Sequence, residues 1–261
     1  MDSNNTVSAL SEIPDVSNAN KKLESRKSGQ PSFRVAIFSL GDSLCHALAI
    51  SMVVYFFWDC LNQSISSLTG WHASLFTLAY VFFMTEGLLI FLPHSVISRG
   101  WGHKHLIKLH WILELLGFIF LASGMTIIIV SKNQSNRRHF VSSHAITGLA
   151  AVILAVLVSL FGWWTRLDRQ VPFIVFLGHS LKYHLGLKMS HLKLVHSALG
   201  VGSYGVGMAA QILGYFTHYY MNKHDAEWRV FLSVMTALLS LVAFLFASTS
   251  LYKRTRELLR K

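Results

Sequence analysis

Residues 109–117 read LHWILELLG, in which a histidine stands beside a tryptophan and a glutamate follows one helical turn later. They open the run 109–130, which is otherwise almost wholly apolar. About 20 apolar residues cross the hydrocarbon core of a bilayer, so this run predicts a transmembrane helix. Ionisable side chains are costly inside a membrane and are usually functional. His110 and Glu114 therefore mark this helix as part of a candidate site.

The rest of the chain has the composition of a membrane protein. Charged residues make up 13% of its 261 residues and hydrophobic residues 52%, whereas a soluble domain has about 25% charged residues. The sequence predicts an all-α membrane protein with six transmembrane helices, of which the fifth, rich in glycine, is the least hydrophobic. The six predicted spans are residues 35–58, 72–92, 109–130, 141–164, 194–216 and 228–251.

The distribution of charge predicts how these helices are oriented. Residues 1–34 are polar and are expected to form a disordered cytosolic tail, residues 35–252 the membrane domain, and residues 253–261 a basic cytosolic tail. With both termini in the cytosol, 18 of the 23 lysines and arginines lie on the cytosolic side, in agreement with the positive-inside rule. The net charge of +11 then reflects topology and attraction to the lipid bilayer. Because this charge is scattered over loops, no nucleic-acid partner is expected.

Other sequence features bear on location and modification. Cys45 and Cys60 are expected to be unpaired, and Asn62 and Asn133 begin glycosylation sequons on the non-cytosolic side. We expect a multi-pass protein of the endoplasmic reticulum or of cytoplasmic vesicle membranes, and the sequence does not distinguish between the two.

Four of the fourteen histidines lie in the first turn of consecutive predicted helices: His72, His110, His144 and His196. Most of the others are expected in loops, and His46 lies inside the first helix. Because the second and fourth helices begin on the same side, His72 and His144 share one depth in the membrane. By the same argument His110 and His196 share the other depth.

Two facing imidazoles at one depth suit the ligation of a haem iron better than zinc, which needs a third or fourth ligand that neither depth supplies. Glycine, alanine and serine also recur on the histidine face of three helices, leaving a clearing for a flat macrocycle. Close helix packing is the alternative explanation for any one of these stripes. The stripe residues are Gly117, Gly124, Gly148, Ala151, Ala155, Gly200, Ser203, Gly207 and Ala210. The sequence thus favours helices two to five as a four-helix core around two haems.

Four stretches carry a resemblance to a known family: WHASLFTLAYVFFMTEGLLIF (71–91), KLHWILELLG (108–117), SSHAITGLAAV (142–152) and LKLVHSALGVGSYGVG (192–207). In this order they resemble the cytochrome b561 family, and most closely its cytochrome b561 domain-containing branch. The resemblance covers about residues 35–252. It implies two haem b cofactors, bound by His72 with His144 on the non-cytosolic side and by His110 with His196 on the cytosolic side. It also implies a homodimer.

The same resemblance implies transmembrane electron transfer from cytosolic ascorbate to monodehydroascorbate or ferric iron on the other side. Cationic residues near the cytosolic haem are candidates to attract the ascorbate anion, and these are Arg99, Lys104, Lys108 and Lys193. A bias set by topology alone would explain these cations equally well. On the other side Arg137, Arg138 and His139 could receive the acceptor, and His139 could also ligate iron or move a proton.

Two glutamates and one alternative function complete the predictions. Glu114 could hydrogen-bond a haem propionate or a polar neighbour, and Glu86 could take up a proton as the haem is reduced; a structural hydrogen bond is as good an explanation for either. The alternative to electron transfer is a non-redox membrane carrier or channel whose histidines line a proton or metal pathway. Such a pathway would need polar residues at successive depths, whereas the histidines cluster at two depths.

Overall fold

The computed structural model describes residues 33–63, 66–92, 95–167 and 189–259, and these residues form helices with no β-strand among them. A short helix, His218–Met221, lies between the fifth and sixth long helices. The six long helices are α1 Phe33–Gln63, α2 Leu68–Leu89, α3 His103–Gln134, α4 Ser143–Leu167, α5 Met189–Gly214 and α6 Ala226–Leu259. The prediction of an all-helical membrane fold is confirmed.

The helices differ in how well they match a membrane span. Within the described ranges, five of them are long and apolar enough to cross a bilayer, and α5 is not among these five. With 26 residues α5 is nevertheless about 39 Å long, more than the hydrocarbon core of about 30 Å. Its glycines and polar residues lower its hydropathy, as the sequence predicted for this helix. All but two residues of the predicted tail 1–34 lie outside the described part of the chain, and α6 continues through most of the segment 253–261.

The long helices alternate in direction. Helices α1, α3 and α5 begin at one end of the bundle, which we call the N-terminal face, and α2, α4 and α6 begin at the opposite end, the far face. Helix α2 packs mainly against α3, and α4 packs mainly against α5, whereas direct contacts between these two pairs are sparse. Helices α1 and α6 pack against the core from outside. The core therefore consists of two antiparallel pairs that leave room between them.

The outer helices are held by one apolar face each. On α1 the buried residues recur at helical spacing, and they are Cys45, Ala49, Met52, Phe56 and Cys60. On α6 the buried residues recur in the same way, and they are Leu232, Thr236, Leu239, Ala243 and Phe246. The opposite faces expose large apolar side chains such as Leu238, Leu241 and Phe244. A surface of this kind is stable only against lipid or protein.

Helix α2 contains a π-helical segment, Thr77–Met84, between two α-helical parts. Such segments insert one extra residue into an α-helix and often occur at functional sites. The Thr85 hydroxyl donates a hydrogen bond to the carbonyl of Tyr80, five residues earlier, at 3.1 Å. The insertion changes the register of every residue of α2 that follows it.

Candidate haem-binding site

The structure brings the four predicted ligand histidines together in two pairs. His110 and His196 lie seven residues after the first residues of α3 and α5, so the prediction that they stand in the first turn is wrong for these two. The ring centroids of His72 and His144 lie 6.1 Å apart near the far face, with an angle of 80° between the ring planes. Those of His110 and His196 lie 6.3 Å apart near the N-terminal face, with an angle of 85°. In each pair one histidine comes from the α2–α3 pair of helices and the other from the α4–α5 pair. The histidines thus face each other across the sparsely packed space.

Each of these histidines is fixed by a hydrogen bond from its Nδ1 atom to a backbone carbonyl of the neighbouring antiparallel helix. The bonds are His72 to Gly124 at 3.0 Å, His110 to Gly87 at 3.0 Å, His144 to Ala210 at 2.9 Å and His196 to Val158 at 3.2 Å. A carbonyl oxygen only accepts hydrogen bonds, so Nδ1 must carry the proton. In a neutral imidazole the Nε2 lone pair then remains available to a metal, which is the usual arrangement of a metal-ligating histidine.

Three of the four helices share one spacing between their histidine and their acceptor carbonyl, and α2 differs from it by one residue. On α3, α4 and α5 the histidine precedes the acceptor carbonyl on its own helix by 14 residues, as with His110 and Gly124. On α2 the spacing from His72 to Gly87 is 15 residues, and the π-helical segment lies between them. The extra residue of the π-helix therefore restores the register that the other three helices have without it. Fourteen helical residues separate the two histidine levels by about 21 Å along the helices.

A cavity of about 740 Å³ surrounds the pair of histidines near the far face. Its volume lies within the range of about 300–1,000 Å³ that is typical of ligand and cofactor sites. Its walls include both histidine rings, the aromatic rings of Phe76 and Tyr80, and Gly148 of α4. A Cβ atom at Gly148 would have no neighbour within 4 Å, so this glycine faces open space in the cavity.

Three other glycines of the predicted clearing, Gly117, Gly124 and Gly207, behave differently. On α3 the expectation of a clearing is wrong, because a Cβ at Gly117 would lie 3.2 Å from Phe83 and one at Gly124 would lie 2.6 Å from the Phe76 ring. These two glycines instead let α2 approach α3 closely, which is the packing explanation. Gly207 of α5 likewise accommodates the ring of Tyr80.

Two glycines outside the predicted stripes make room for histidine rings. A Cβ at Gly162 would lie 3.1 Å from Cε1 of His196, and a Cβ at Gly214 would lie 3.3 Å from Cε1 of His144. Each of these glycines follows the acceptor carbonyl of its helix by four residues, one helical turn. Gly162 and Gly214 thus allow the ring to lie flat enough against the neighbouring helix to reach its carbonyl.

The cations predicted to attract a donor lie at the N-terminal face. Lys104, Lys108 and Lys193 are exposed, and Arg99 donates a hydrogen bond of 3.5 Å to Ser39 at the start of α1. They surround the His110–His196 level from the side of α1, α3 and α5. Among the contacts of the described residues, none joins these four cations to His110 or His196.

Two further cations near this level were missed by sequence reasoning. Arg254 of α6 donates a hydrogen bond of 2.8 Å to Ser197, the neighbour of His196. Arg166 at the end of α4 lies 4.3 Å above the ring of Trp111, the neighbour of His110. Both sit in segments where lysine and arginine are abundant, and only the helix packing singles them out.

The far-face cavity is bordered by basic residues of the last turn of α3 and of the α3–α4 connection. Lys132, Arg137, Arg138 and His139 line it, and His139 Nε2 is hydrogen-bonded to Asn133 Oδ1 at 2.8 Å. That nitrogen is therefore engaged with an amide rather than aimed at the histidine pair. Asn133 is also the first residue of a sequon, and its side chain is engaged by this hydrogen bond to His139.

The two glutamates occupy different surroundings near the N-terminal face. Glu114 Oε1 is 3.8 Å from His110 Nδ1, too long for a hydrogen bond, and it packs against Gly87. Glu86 is hydrogen-bonded to Nδ1 of His46 at 2.7 Å. Sequence reasoning grouped neither His46 nor its other partner Asp42 with the site, because Glu86 lies on the next helix, 40 residues from His46 along the chain.

Comparison with known proteins gives a consistent result. A family model described as eukaryotic cytochrome b561 matches residues 71–172. The mouse (Mus musculus) transmembrane reductase CYB561D2 is 30% identical over 70% of this chain and 75% of its own length. The human (Homo sapiens) protein of the same name is 30% identical over 69% of this chain and 74% of its own length. The human probable transmembrane reductase CYB561D1 is 28% identical over 66% and 73%.

Proposed function

Because this chain belongs to the cytochrome b561 family, we propose that it transfers electrons from ascorbate on the N-terminal, cytosolic face to monodehydroascorbate or ferric iron on the far face. Membership itself makes the chain a haem-binding, multi-pass membrane oxidoreductase. The number of haems, their ligands and the two substrates are the content of the proposal.

The two histidine pairs are the observation on which the proposal of two haems rests. A bond from an imidazole nitrogen to a first-row metal such as zinc is about 2 Å long. Two such bonds, together with the distance from each ring centre to its Nε2 atom, account for a centroid separation of about 6 Å. The measured separations are 6.1 and 6.3 Å. The donor set therefore fits two haem b groups, His72 and His144 holding one and His110 and His196 the other.

When bound, haem supplies one-electron chemistry that amino-acid side chains lack. The contribution of this chain is to hold four imidazoles in the neutral, Nδ1-protonated form at two depths. Their carbonyl acceptors belong to helix backbones, and such hydrogen bonds fix the tautomer and the orientation of a ligating imidazole. The glycine opening at Gly148 and the room between the two helix pairs keep the interior accessible to a flat cofactor.

The side of each substrate follows from the charge distribution. In the topology predicted from the sequence, 18 of the 23 lysines and arginines lie on the side where α1, α3 and α5 begin, and this bias supports a cytosolic location of the N-terminal face. Lys104, Lys108, Lys193 and Arg254 together make this face attractive to an anion such as ascorbate. At the far face, Arg137 and Arg138 border the cavity and suit an anionic acceptor or an anionic ferric chelate.

The purified protein tests the proposal through its absorption spectrum. We expect a Soret band with b-type alpha bands, a low-spin ferric form and about two haems per chain. The substitutions His72→Ala and His144→Ala should each remove one spectral component, and His110→Ala and His196→Ala the other. His103→Ala, an exposed histidine at the start of α3, is the matched control and should retain both.

A vesicle assay tests the direction of transfer. With the N-terminal face outward, external ascorbate should reduce a ferric chelate trapped inside, and the His144→Ala variant should lose this transfer while still accepting electrons from ascorbate. Absence of haem bands would contradict the proposal and favour the carrier or channel. Loss of the same spectral component in all four histidine variants would contradict the pairing.

A further inference from the structure

A cluster of three ionisable side chains lies between α1 and α2, in the half of the bundle near the N-terminal face. The imidazole of His46 bridges two carboxylates: its Nδ1 atom is 2.7 Å from Glu86 Oε1 and its Nε2 atom is 3.1 Å from Asp42 Oδ2. The backbone N–H of Val96 also donates to Asp42, at 2.7 Å. We call these three residues the His46 cluster.

The His46 cluster is buried and has an unequal number of acids and bases. Asp42 is 1% exposed and Glu86 5% exposed. An imidazole with a carboxylate at each nitrogen either donates from both nitrogens as an imidazolium, or faces one carboxyl group that is protonated. In both arrangements the cluster carries one net negative charge, and one further proton makes it neutral. An uncompensated buried charge is costly in a low-dielectric interior, so the cluster is poised to exchange one proton.

The His46 cluster is linked to the histidine pair of the N-terminal face. Glu86 is followed in the chain by Gly87, and the backbone carbonyl of Gly87 accepts the hydrogen bond from His110 Nδ1 at 3.0 Å. A cavity of about 190 Å³ lies between the cluster and α3, lined by His46 and Glu86 on one side and by Leu109 and Leu113 on the other. A water molecule occupies roughly 30 Å³, so the cavity has room for several.

We propose that the His46 cluster is the proton acceptor of the electron-transfer reaction: Glu86 takes up one proton from cytosolic water for each electron that arrives at the His110–His196 level. The electron comes from the cytosolic donor, and the proton is released when the electron moves on. One negative charge and one positive charge therefore enter the interior together, and its total charge stays constant. This inference rests on the proposed function, since it requires a redox centre at that level.

The hydrogen bonds assign different roles to the three residues. Asp42 Oδ2 accepts hydrogen bonds from both His46 and the Val96 N–H, and these two donors favour its anionic form. Glu86 accepts from His46 and borders the cavity, so it is the carboxylate open to a proton.

Other ionisable groups face this cluster from the elements packed around it. On α1 the Cys45 thiol, and on α5 the Tyr204 hydroxyl, which is hydrogen-bonded to Thr85, lie near Glu86. On α3 Glu114 packs against Gly87. Arg254 of α6 and Arg99 of the α2–α3 connection are cations at this end of the bundle that are each engaged with a serine. Lys104, Lys108, Lys193 and Arg166 add further positive charge at the same end. Glu114 is the competing proton acceptor.

A redox titration of the haem-loaded protein at several pH values tests the inference. In wild type, the midpoint potential of the component lost in His196→Ala should fall as pH rises. The reduction equilibrium should change tenfold per pH unit, about 59 mV for a one-electron couple. In Glu86→Gln, which keeps a hydrogen-bond acceptor for His46, this slope should vanish. In Glu227→Gln, an exposed acid at the far face, it should remain.

Infrared difference spectra supply a readout independent of activity. Reduction of wild type should produce a carboxylic-acid C=O band that is absent from Glu86→Gln and present in Glu227→Gln. If Glu86→Gln fails to fold, His46→Gln serves instead, because without the imidazolium Glu86 stays protonated in both redox states and the slope again vanishes.

The outcomes separate this inference from the proposed function. A pH-independent potential in wild type would overturn the inference alone. A slope that survives in Glu86→Gln and disappears in Glu114→Gln would also overturn it, in favour of the competing acid. A preparation without haem bands would contradict both the inference and the proposed function.

Discussion

The far-face cavity makes the substitution Gly148→Leu a sharp test of how the helices accommodate a cofactor. A Cβ at Gly148 would meet no atom within 4 Å, and the residue lies one turn after His144 on the same face of α4. Leucine is favoured over glycine in a helix by about 1 kcal/mol, so the fold should not be weakened. The new side chain would fill the cavity next to His144. We expect the variant to fold, and its haem content to fall from about two per chain to about one.

Gly202→Leu is the matched control for this substitution. Gly202 lies on the exposed face of α5, and a Cβ there would also meet nothing within 4 Å. The same gain in helix propensity applies, but the side chain would point away from the cavity. Its haem content and spectrum should equal those of wild type.

The assay combines haem quantification per mole of protein with thermal unfolding in detergent. Gly148→Leu should lose the spectral component that His72→Ala also loses, while the other component is still reduced by ascorbate. Full haem content in Gly148→Leu would refute the assignment of the cavity as the far-face haem site. Equal loss in Gly148→Leu and Gly202→Leu would show that bulk in any helix, rather than this cavity, excludes the cofactor.

Three further predictions concern other parts of the structure. Replacing Lys104 and Lys193 with glutamine should slow haem reduction by ascorbate at low ionic strength. The difference in rate between variant and wild type should shrink at physiological salt, where exposed charges are screened beyond about 8 Å. Stopped-flow measurement of the reduction rate tests this, with a neutral reductant as the control. Deleting Val81 from the π-helical segment should preserve the haem spectrum, because the spacing from His72 to Gly87 then becomes fourteen residues. Deleting Ile119 from α3 should instead move either His110 or the Gly124 carbonyl out of register, and haem should be lost. Arg254→Gln should lower the midpoint potential of the N-terminal-face component by roughly tens of millivolts, since a cation that favours the added electron is lost; an unchanged potential would show that this arginine is fully screened.

Much of the fold and of the candidate site was predictable because the position of each membrane helix depends on the hydropathy of a continuous local stretch of sequence. Each span needs its own continuous apolar run, so the helices could be counted before their packing was known. Alternation of direction then placed His72 level with His144 and His110 level with His196. The family resemblance gave the same pairing, and the comparisons confirm the family.

The hydrogen-bond partners of the histidines could not be predicted in this way. A backbone carbonyl is present at every residue and has no sequence signature, so nothing in the chain marks Gly124 or Val158 as an acceptor. The spacing of fourteen residues becomes visible once the contacts are known. The additional residue on α2 becomes interpretable once the π-helix of Thr77–Met84 is seen.

What the sequence by itself determined is the set of helices, their alternation and the depth of each histidine, because these depend on hydropathy, length and charge along one chain. The tertiary structure decided which small residues face open space and which face a neighbouring helix. Gly148 borders a cavity, while Gly117 packs against Phe83 of α2. It also brought His46 between Asp42 and Glu86 across two helices. Both outcomes depend on the rotation of one helix about its axis relative to the next. That rotation is set by side-chain packing between helices, which local hydropathy does not encode.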